Sequence, residues 1–274
     1  MATIAIGQRL GSGGAELGAL IARRLEARFL GLDDLRGEAA SLYQADPEQL
    51  RVFDTREPHF WEWLTTDTTR LLTYFHAVVL KHLAEDQVVL VSHSMPVWVP
   101  QGVGHVLRVR TIAPLEARMK RVMDEERLSA RQAEHRIRES DREVQARVRK
   151  MLGVDVEDSQ FYDAVLNSTS APLDTLATVV IDLARAVAKS CSANSRIILN
   201  DACLTSQVRA ALMVHPKVGH APIEVNSCSG AVTITGESLV PPWDRLVRDL
   251  VAQIEGVASV KLEAGEPPIP TRVG

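Results

Sequence analysis

The stretch Thr3-Ile-Ala-Ile-Gly-Gln-Arg-Leu-Gly-Ser-Gly-Gly-Ala15 decides which fold this sequence predicts. Residues 3–6 form a β-branched run that is typical of a buried strand and that ends at Gly7. The segment that follows, residues 7–14, is rich in glycine and predicts a loop. Apolar residues then recur at helical spacing from about residue 15 to residue 27. The sequence therefore predicts a strand, a glycine-rich loop and a helix in direct succession.

Strand and helix patterns continue to alternate as far as residue 189. Residues 88–91 are a continuous apolar run, which is typical of a strand buried on both faces. Further strands are predicted at residues 105–112 and around residues 164–166, and the capping-box pattern Ser129-Ala-Arg-Gln132 predicts the start of a helix. Such alternation predicts a parallel sheet with crossover helices, whose ligand site lies beyond the carboxyl ends of the strands.

The pattern changes after residue 189. The small polar residues 190–196 predict a linker, and residues 197–264 predict the order α-β-β-α-β with a hairpin turn at residues 228–230. The proline-rich residues 265–274 predict a flexible tail. The predicted fold is thus a parallel-sheet α/β domain over residues 1–189, followed by a small α+β domain over residues 197–264.

Composition and charge exclude several classes of protein. The chain has 274 residues, and its net charge of -4 and aromatic content of 4% argue against a nucleic-acid-binding surface. The N-terminus lacks the features of a signal peptide and no run of about 20 apolar residues occurs, so we expect a cytoplasmic chain without a transmembrane segment. The cysteines Cys191, Cys203 and Cys228 have neither zinc-site nor disulfide spacing, and no metal site built from protein ligands is predicted.

The glycine-rich loop lies where a phosphate site is expected in such a sheet. Backbone N–H groups at the start of a helix point toward a bound anion, and the helix dipole favours negative charge there. The complete motif is G-x-x-x-x-G-K-[ST], but Gly14 stands in the place of the lysine and Ala15 in the place of the hydroxyl residue that binds magnesium. The other interpretation is a tight turn without a ligand, and the position directly after the first strand favours phosphate binding over it.

Without the lysine, positive charge for a phosphate has to come from other residues. Arg9 lies within the loop, and a later helical segment is rich in arginine, whose guanidinium fork suits phosphate oxygens. The other interpretation of that segment is a solvated helix face with pairs such as Glu134 and Arg138, four residues apart. Its arginines are Arg127, Arg131, Arg136, Arg138, Arg142, Arg147 and Arg149.

Several segments together resemble the cytidylate-kinase-like family, a divergent branch of the nucleoside monophosphate kinases. They include the loop Gly11-Ser-Gly-Gly14 and lie within residues 5–17, 88–92, 109–118, 126–129, 141–142 and 162–167. Members of this branch often carry Gly-Ser-Gly-Gly where cytidylate kinases carry Gly-Ser-Gly-Lys, so the missing lysine is a trait of the branch. The resemblance covers roughly residues 1–188 and implies a P-loop nucleotide-kinase-like fold, with a five-stranded parallel sheet and a lid.

The resemblance implies an enzyme that transfers a phosphoryl group from ATP, with Mg²⁺, to a nucleoside monophosphate such as CMP or to a similar small acceptor. It implies that the phosphates of ATP are held by residues of the loop, namely Arg9, Gly11, Ser12, Gly13 and Gly14. The implied catalytic contacts on the lid side are Arg127, Arg131 and Arg142. The resemblance places Asp33, Asp34 and Asp54 near the acceptor-side segment, and we expect His93 to bind substrate on the same side.

The chain departs from the family pattern at three places. Ala15 stands where an arginine is common, Gly7-Gln8 where a Ser-Arg pair is common, and Ser92-His93 where a Gly-Arg pair is common. His93 replaces that cation only in part, because histidine is mostly neutral at about pH 7, and its alternative role is that of a packed histidine. Because phosphoryl transfer depends on positioning and charge neutralisation, three hypotheses stay open: a kinase, a pseudokinase that binds nucleotide without turnover, and a scaffold that binds none.

The C-terminal segment resembles a BON domain. The resemblance rests mainly on Gly230-Ala-Val-Thr-Ile-Thr-Gly236 and Gly256-Val-Ala-Ser-Val260, and it covers about residues 197–264. It implies a domain that binds lipids or other ligands, or that mediates association, without catalysis; the alternative is a domain that only packs against the rest. The expected partners are therefore a nucleotide for the first domain, and a small molecule, a lipid or a protein for the second.

Overall fold

Two β-sheets, each packed against helices, make up the part of the chain that a computed structural model describes. The described residues are 2–47, 49–50, 68–189, 191–216, 218–219, 221–236, 239 and 241–265. Asp54, which the family resemblance assigns to the acceptor side, lies outside them. The first sheet carries the glycine-rich loop, and the second lies in the C-terminal segment.

The first sheet is parallel, as the alternating pattern predicts. β1 (Thr3–Gln8) lies in its centre, between β3 (Val88–Ser92) and β4 (Val106–Ile112). β2 (Arg28–Leu30) and β5 (Ala164–Asn167) form its edges, so the strand order is β2-β3-β1-β4-β5. Since every pairing in this order is parallel, the carboxyl ends of the strands meet at one edge of the sheet.

Both faces of the first sheet are buried, because successive side chains of a strand point to opposite sides. Ile4 and Ile6 belong to the core on one face, whereas Ala5 between them belongs to the core on the other. The same alternation separates Val89 from Leu90 in β3. The prediction of a strand buried on both faces at residues 88–91 is therefore confirmed.

Helices cover each face of this sheet. α1 (Gly14–Leu25) and α6 (Leu173–Lys189) share one core with the strands. α2 (Leu32–Tyr43) and α3 (Thr68–Ala84) share the other. α1 follows the glycine-rich loop without a break, so its amino-terminal end lies at the carboxyl edge of the sheet.

α4 (Leu115–Glu126) and α5 (Ala130–Leu152) form a helical hairpin beside the glycine-rich loop, and we call this hairpin the lid. The predicted capping box at its second helix is confirmed. Ser129 Oγ accepts a hydrogen bond from the backbone N–H of Gln132, and the side chain of Gln132 accepts one from the backbone N–H of Ser129. Leu10 packs against the small apolar core of the lid, so the lid and the loop are in contact.

The second sheet consists of β6 (Glu224–Cys228), β7 (Ala231–Thr235) and β8 (Ser259–Glu263), with β7 in the middle. β6 and β7 are antiparallel, whereas β7 and β8 are parallel. Ser229 and Gly230 join the first two strands with φ values of 48° and 84°. Positive φ at both central residues is the requirement of a type I′ hairpin, so the turn predicted at residues 228–230 is present.

α7 (Ala193–Val214) lies between the two sheets, and α8 (Trp243–Ala252) completes the second core. The observed order is thus α-β-β-α-β. α7 contributes side chains to both cores, and by length and composition it is the one helix among the described residues that could cross a membrane. Its residues in the first core are Leu199, Cys203 and Ala210, and those in the second are Leu204, Val208 and Leu212.

α7 begins inside residues 190–196, the segment for which the sequence predicts a linker. Ser192 caps the helix, since its Oγ accepts a 3.1 Å hydrogen bond from the backbone N–H of Ser195. Ser195 is buried, and its Oγ accepts a 2.9 Å bond from the backbone N–H of Gly104 and lies 2.6 Å from Nδ1 of His105. These small polar residues therefore cap α7 and attach it to the start of β4.

A network of charged groups fixes α2 against α3. Glu38 accepts hydrogen bonds from Nζ of Lys81 at 2.8 Å and from Nε2 of His82 at 2.5 Å, and Nδ1 of His82 lies 2.9 Å from Oε2 of Glu85. His82 is 1% exposed. Burial alone would raise the pKa of Glu38, but the hydrogen bonds from Lys81 and His82 outweigh that effect and lower it.

We expect Glu38→Gln to lower the free energy of unfolding by about 1–3 kcal/mol at neutral pH, because it leaves the buried His82 with one charged partner fewer. A carboxylate whose pKa is lowered by folding stabilises the folded state above its unfolded pKa, and loses that contribution as the pH falls through its folded pKa. The cost of the substitution should therefore shrink in acid. Urea denaturation at neutral and at acidic pH measures both effects.

Asp182→Asn is the matched control for this substitution. Asp182 forms an exposed ion pair with Arg185, three residues away on α6, so its loss should cost less than about 0.5 kcal/mol. A cost for Glu38→Gln that equals the control, or that does not change with pH, would contradict a stabilising role for the network.

Candidate functional site

The glycine-rich loop has a backbone that requires glycine at two positions. Gly11 and Gly13 have φ values of 73° and 75°, in the left-handed region that glycine adopts without strain. Ser12 between them is fully buried, and its Oγ lies 3.0 Å from Oγ1 of Thr111 in β4. The loop is thus attached to the neighbouring strand through the Ser12 hydroxyl, the group that the family resemblance assigns to the phosphates of ATP.

The place of the missing lysine is filled by the side chain of Gln8. With Gly13 as the second glycine of the motif G-x-x-x-x-G-K-[ST], the first glycine falls on Gln8, the last residue of β1. Oε1 of Gln8 accepts a 2.9 Å hydrogen bond from the backbone N–H of Ala15. A Cβ added to Gly14 would lie 2.7 Å from Cβ of Gln8 and 2.6 Å from Oγ1 of Thr111. Position 14 therefore has no room for a side chain, lysine included.

Arg121 of α4 brings positive charge to the loop. Its Nη1 donates hydrogen bonds of 3.1 Å to the carbonyl oxygen of Gly11 and 3.1 Å to Oγ of Ser168. Its guanidinium would be 3.0 Å from a Cβ at Gly13, so it lies directly against the loop backbone. Oε2 of Glu16 approaches the same Cβ position at 2.9 Å, so a carboxylate shares this end of the loop with the cation.

Arg118 connects the loop to both helices of the lid. From its place on α4 it donates a 2.7 Å hydrogen bond through Nε to the carbonyl oxygen of Leu10. Its two terminal nitrogens donate to the carboxylate of Asp141 on α5, at 2.8 and 2.7 Å. The side chain is 3% exposed. Such a bidentate pair on a buried guanidinium is strong and directional, so Arg118 positions the loop rather than offering a free charge.

The charge of Arg9 is used within the protein. Its guanidinium pairs with Glu157, and the same carboxylate accepts a bond from Arg110. Arg110 is buried and also donates to the carbonyl oxygen of Val156 at 2.6 Å and to the hydroxyl of Tyr162 at 2.7 Å. Burial alone would lower the pKa of Arg9, but the bond to Glu157 outweighs it and raises the pKa. A phosphate would have to compete with Glu157 for Arg9.

A pocket of 530 Å³ opens next to the loop, at the carboxyl ends of β1, β2 and β3. This is the place where open parallel sheets bind their ligands. The loop region, the segment after β2, the end of β3 and the lid all contribute to it. The residues that line it are Gln8, Leu10 and Ala15; Phe29, Gly31, Leu32, Asp33 and Asp34; Val91, Ser92 and His93; and Glu126 and Arg136.

The two described aspartates of the predicted acceptor side line this pocket, and both have partners within α2. Oδ2 of Asp34 accepts a 2.8 Å hydrogen bond from the backbone N–H of Gly31 and so caps the helix. Asp33 forms an ion pair with Arg36, and its side chain is 87% exposed. Both aspartates are exposed at the rim of the pocket, and the carboxylate of Asp34 also caps the helix.

His93 lines the pocket at the end of β3, where the family commonly has an arginine. Its Nδ1 lies 3.0 Å from the carbonyl oxygen of Gln8. Because a carbonyl oxygen can only accept, Nδ1 carries the proton of this bond. The contact joins the pocket wall to the residue that fills the glycine-rich loop.

The lid arginines divide into two groups. Arg127, Arg131 and Arg142, the predicted catalytic contacts, are exposed and are absent from the described lining of the pocket. Arg136 lines the pocket, and its Nε lies 3.7 Å from Oε2 of Glu126. The structure therefore brings Arg136 to the pocket and leaves the other three on the solvent side of the lid.

The sequence alone assigned no role in the loop to four residues that contact it in the structure, namely Gln8, Thr111, Arg118 and Arg121. Gln8 had a usable signal, since it stands in the first glycine position of the motif, where a side chain has to enter the loop. Thr111 and Arg121 follow the loop by about a hundred residues in sequence. Their contacts depend on the pairing of β1 with β4, which a local pattern does not contain.

The lining of the pocket suits a magnesium ion that is coordinated mainly by the phosphate oxygens of a bound ligand. Among the described residues, no group of three or more His, Cys, Asp or Glu side chains could hold a metal ion, and position 15 carries no hydroxyl. The carboxylates of Asp33 and Glu126 lie at the pocket. Magnesium usually keeps several waters and takes phosphate oxygens with one or two carboxylates, which is the kind of coordination this lining allows.

A family comparison matches most of the first domain. The sequence model of the cytidylate kinase-like family matches residues 3–170, a range that contains the glycine-rich loop, all the strands of the first sheet and the lid. No curated protein matches the chain.

The chain is similar to several solved structures at low sequence identity. An uncharacterized protein from Eubacterium ventriosum has a TM-score of 0.54 and 16% identity, over 68% of this chain and 98% of that one. A shikimate kinase from Acinetobacter baumannii has a TM-score of 0.41 and 16% identity, over 68% and 94%. A gluconokinase from Sinorhizobium meliloti has a TM-score of 0.43 and 15% identity, over 69% and 94%. At such identities the first likeness shows the fold alone.

We expect Gly14→Ala to destabilise the fold by about 1–3 kcal/mol, because its Cβ would overlap the side chains of Gln8 and Thr111. The matched control is Gly37→Ala, since Gly37 is an exposed residue within α2 with nothing within 4 Å of an added Cβ. In the control the same change should stabilise the helix by about 0.5–1 kcal/mol. Urea denaturation of both variants measures the difference, and equal effects of the two changes would show that position 14 is not filled.

Proposed function

We propose a phosphoryl-transfer function from the premise that the chain belongs to the cytidylate kinase-like family. The reaction would be ATP-dependent transfer to a nucleoside monophosphate, such as CMP, or to a similar small acceptor. The observation that carries the proposal is that the glycine-rich loop and the 530 Å³ pocket share Gln8, Leu10 and Ala15. A donor phosphate on the loop would therefore face an acceptor in the pocket, as an in-line transfer requires.

The proposed donor side is the loop with the start of α1. Gly11 and Gly13 let the backbone close on a phosphate, and the amino-terminal end of α1 favours negative charge. Arg121, which lies against Gly13, supplies the cation that position 14 does not. Arg9 would add its charge only after release from Glu157. Asp33 and Glu126 would help to hold magnesium together with the phosphates of ATP, and the ion would neutralise phosphate charge during the transfer.

The proposed acceptor side is the pocket wall formed by Asp33, His93 and Arg136. A guanidinium suits the phosphate of a nucleoside monophosphate, because its fork matches two phosphate oxygens. Arg127, Arg131 and Arg142 keep their proposed role on the lid side only if the lid moves relative to the pocket, since all three side chains are exposed. Lid closure of this kind is common where water has to be excluded from transfer.

A second candidate, a pseudokinase that binds nucleotide without turnover, is favoured by one specific observation. The backbone N–H of Ala15, a donor that a phosphate would use, is already bonded to Gln8. The second domain would then carry the signal, because α7 is shared between the two cores. In this candidate the second domain, which resembles a BON domain, would bind a small molecule, a lipid or a protein. The protein would act in the cytoplasm and would not bind nucleic acid.

We expect Gly13→Leu to abolish ADP formation in the presence of magnesium and CMP, because its side chain would enter the space of Arg121 and Glu16. Gly153→Leu is the matched control. Gly153 has a φ of 73°, close to the 75° of Gly13, but nothing lies within 4 Å of an added Cβ. The two variants share the backbone strain, about 1–2 kcal/mol, and differ in whether the loop is blocked.

Isothermal titration of the parent protein, Gly13→Leu and Gly153→Leu with a non-hydrolysable ATP analogue and magnesium distinguishes the kinase from the pseudokinase. Binding that CMP tightens, together with ADP formation by the parent protein, supports the kinase. Binding without turnover supports the pseudokinase. ADP formation that persists in Gly13→Leu would remove the loop from the proposed site, and absence of binding at millimolar analogue would overturn both candidates.

We expect Arg136→Ala to weaken CMP binding by about ten-fold or more, because a charge-assisted bond to phosphate is lost. Arg138→Ala is its control on the same helix, since Arg138 is exposed and pairs with Glu134. Titration with CMP in the presence of the ATP analogue measures both. Equal CMP affinity of the two variants would exclude Arg136 from the acceptor side.

A further inference from the structure

The carboxamide of Gln8 takes the part of a ligand within the glycine-rich loop. Its Oε1 accepts a 2.9 Å hydrogen bond from the backbone N–H of Ala15, in the first turn of α1. The same oxygen would be 2.8 Å from a Cβ at Gly14. An electronegative oxygen thus occupies the start of the helix, at the position where a phosphate oxygen would be bound.

The amide oxygen is a weaker occupant of such a site than a phosphate. A helix N-terminus attracts negative charge, and an amide oxygen carries only part of one. A bond from an N–H to an ionised oxygen is about twice as strong as a bond to a neutral oxygen. A phosphate that reached the loop would therefore gain more from the Ala15 N–H than Gln8 does.

The backbone of Gln8 is held in place while its side chain has room to leave. The main chain of Gln8 pairs with Thr111 of β4, and its carbonyl oxygen lies 3.0 Å from Nδ1 of His93. The side chain borders the 530 Å³ pocket. Rotation about its side-chain bonds can therefore move the carboxamide into the pocket without breaking a strand pairing.

We propose that the Gln8 carboxamide is a built-in occupant of the phosphate site, and that a nucleotide phosphate has to displace it from the Ala15 N–H before it can bind. The proposal rests on the proposed function, because it takes a phosphate group as the ligand of the loop. Gln8 would then help to set the affinity of the loop for phosphate. With the carboxamide in the site, the loop binds phosphate more weakly than the same glycines and helix N-terminus would without it.

The test compares the parent protein with Gln8→Ala and Gln8→Glu. Gln8→Ala removes the occupant and should bind inorganic pyrophosphate about five-fold more tightly, the equivalent of one hydrogen bond. Gln8→Glu keeps an acceptor oxygen at the same reach and adds a negative charge, so at neutral pH it should bind about ten-fold more weakly. Hydrogen exchange of the Ala15 amide adds a measurement without ligand: it should be protected in the parent and exchange faster in Gln8→Ala.

Two probes distinguish failure of this proposal from failure of the proposed function. If pyrophosphate binds all three proteins equally, or binds Gln8→Ala more weakly than the parent, the occupant proposal is overturned. Nucleotide binding is then decided by the titration with the ATP analogue and magnesium. If Gln8→Ala binds pyrophosphate more tightly but none of the proteins binds the ATP analogue with magnesium, the occupant is supported and the kinase is not. If pyrophosphate binds none of them, or Ala15 exchanges alike in parent and Gln8→Ala, the occupant proposal is overturned.

Discussion

The position of the glycine-rich loop depends on one buried guanidinium, that of Arg118. Its side chain is 3% exposed and is bonded to the carbonyl oxygen of Leu10 and to both carboxylate oxygens of Asp141. A buried charge is tolerated only when it is paired and hydrogen-bonded, and losing one partner leaves the other unpaired in a medium of low polarity. The loop, α4 and α5 are therefore held in one relative arrangement, and both the pocket and the contacts of Arg121 follow from it.

The cations near the loop have partners within the protein, and these partners differ between the arginines. Glu157 engages Arg9 and Arg110, and Asp141 engages Arg118, so these three guanidinium groups stabilise the fold. Arg121 contacts the loop backbone and Arg136 lines the pocket. Counting arginines in the sequence therefore overstates the charge that a phosphate would meet, because several of them already have carboxylate partners.

The second sheet is joined to the first through α7, whose side chains enter both cores. Cys203 belongs to the first core and Leu204, its neighbour, to the second, so the helix is buried by two separate sets of side chains. At the same junction, burial and the nearby Arg209 of α7 lower the pKa of His76 to about 4, so His76 is neutral at about pH 7. A ligand that shifts α7 would change the packing of both cores, because α7 contributes buried side chains to each of them.

The sequence by itself determined the succession of β1, β3, β4 and β5 with helices between them, the parallel character of the first sheet and the place of the loop, whereas β2 (Arg28–Leu30) comes only from the structure. These features rest on local sequence patterns, such as the apolar run at residues 88–91 and the capping box at Ser129. Such patterns can be recognised without knowing which other elements pack against them. Only the tertiary structure decided that Ser192 caps a helix and that Ser195 is buried in its first turn, because small polar residues suit a linker and a cap equally well. It also decided the contents of the site. Arg121 reaches Gly13, and Thr111 borders the space beside Gly14, only because β4 pairs with β1 and brings residues about a hundred positions apart into contact.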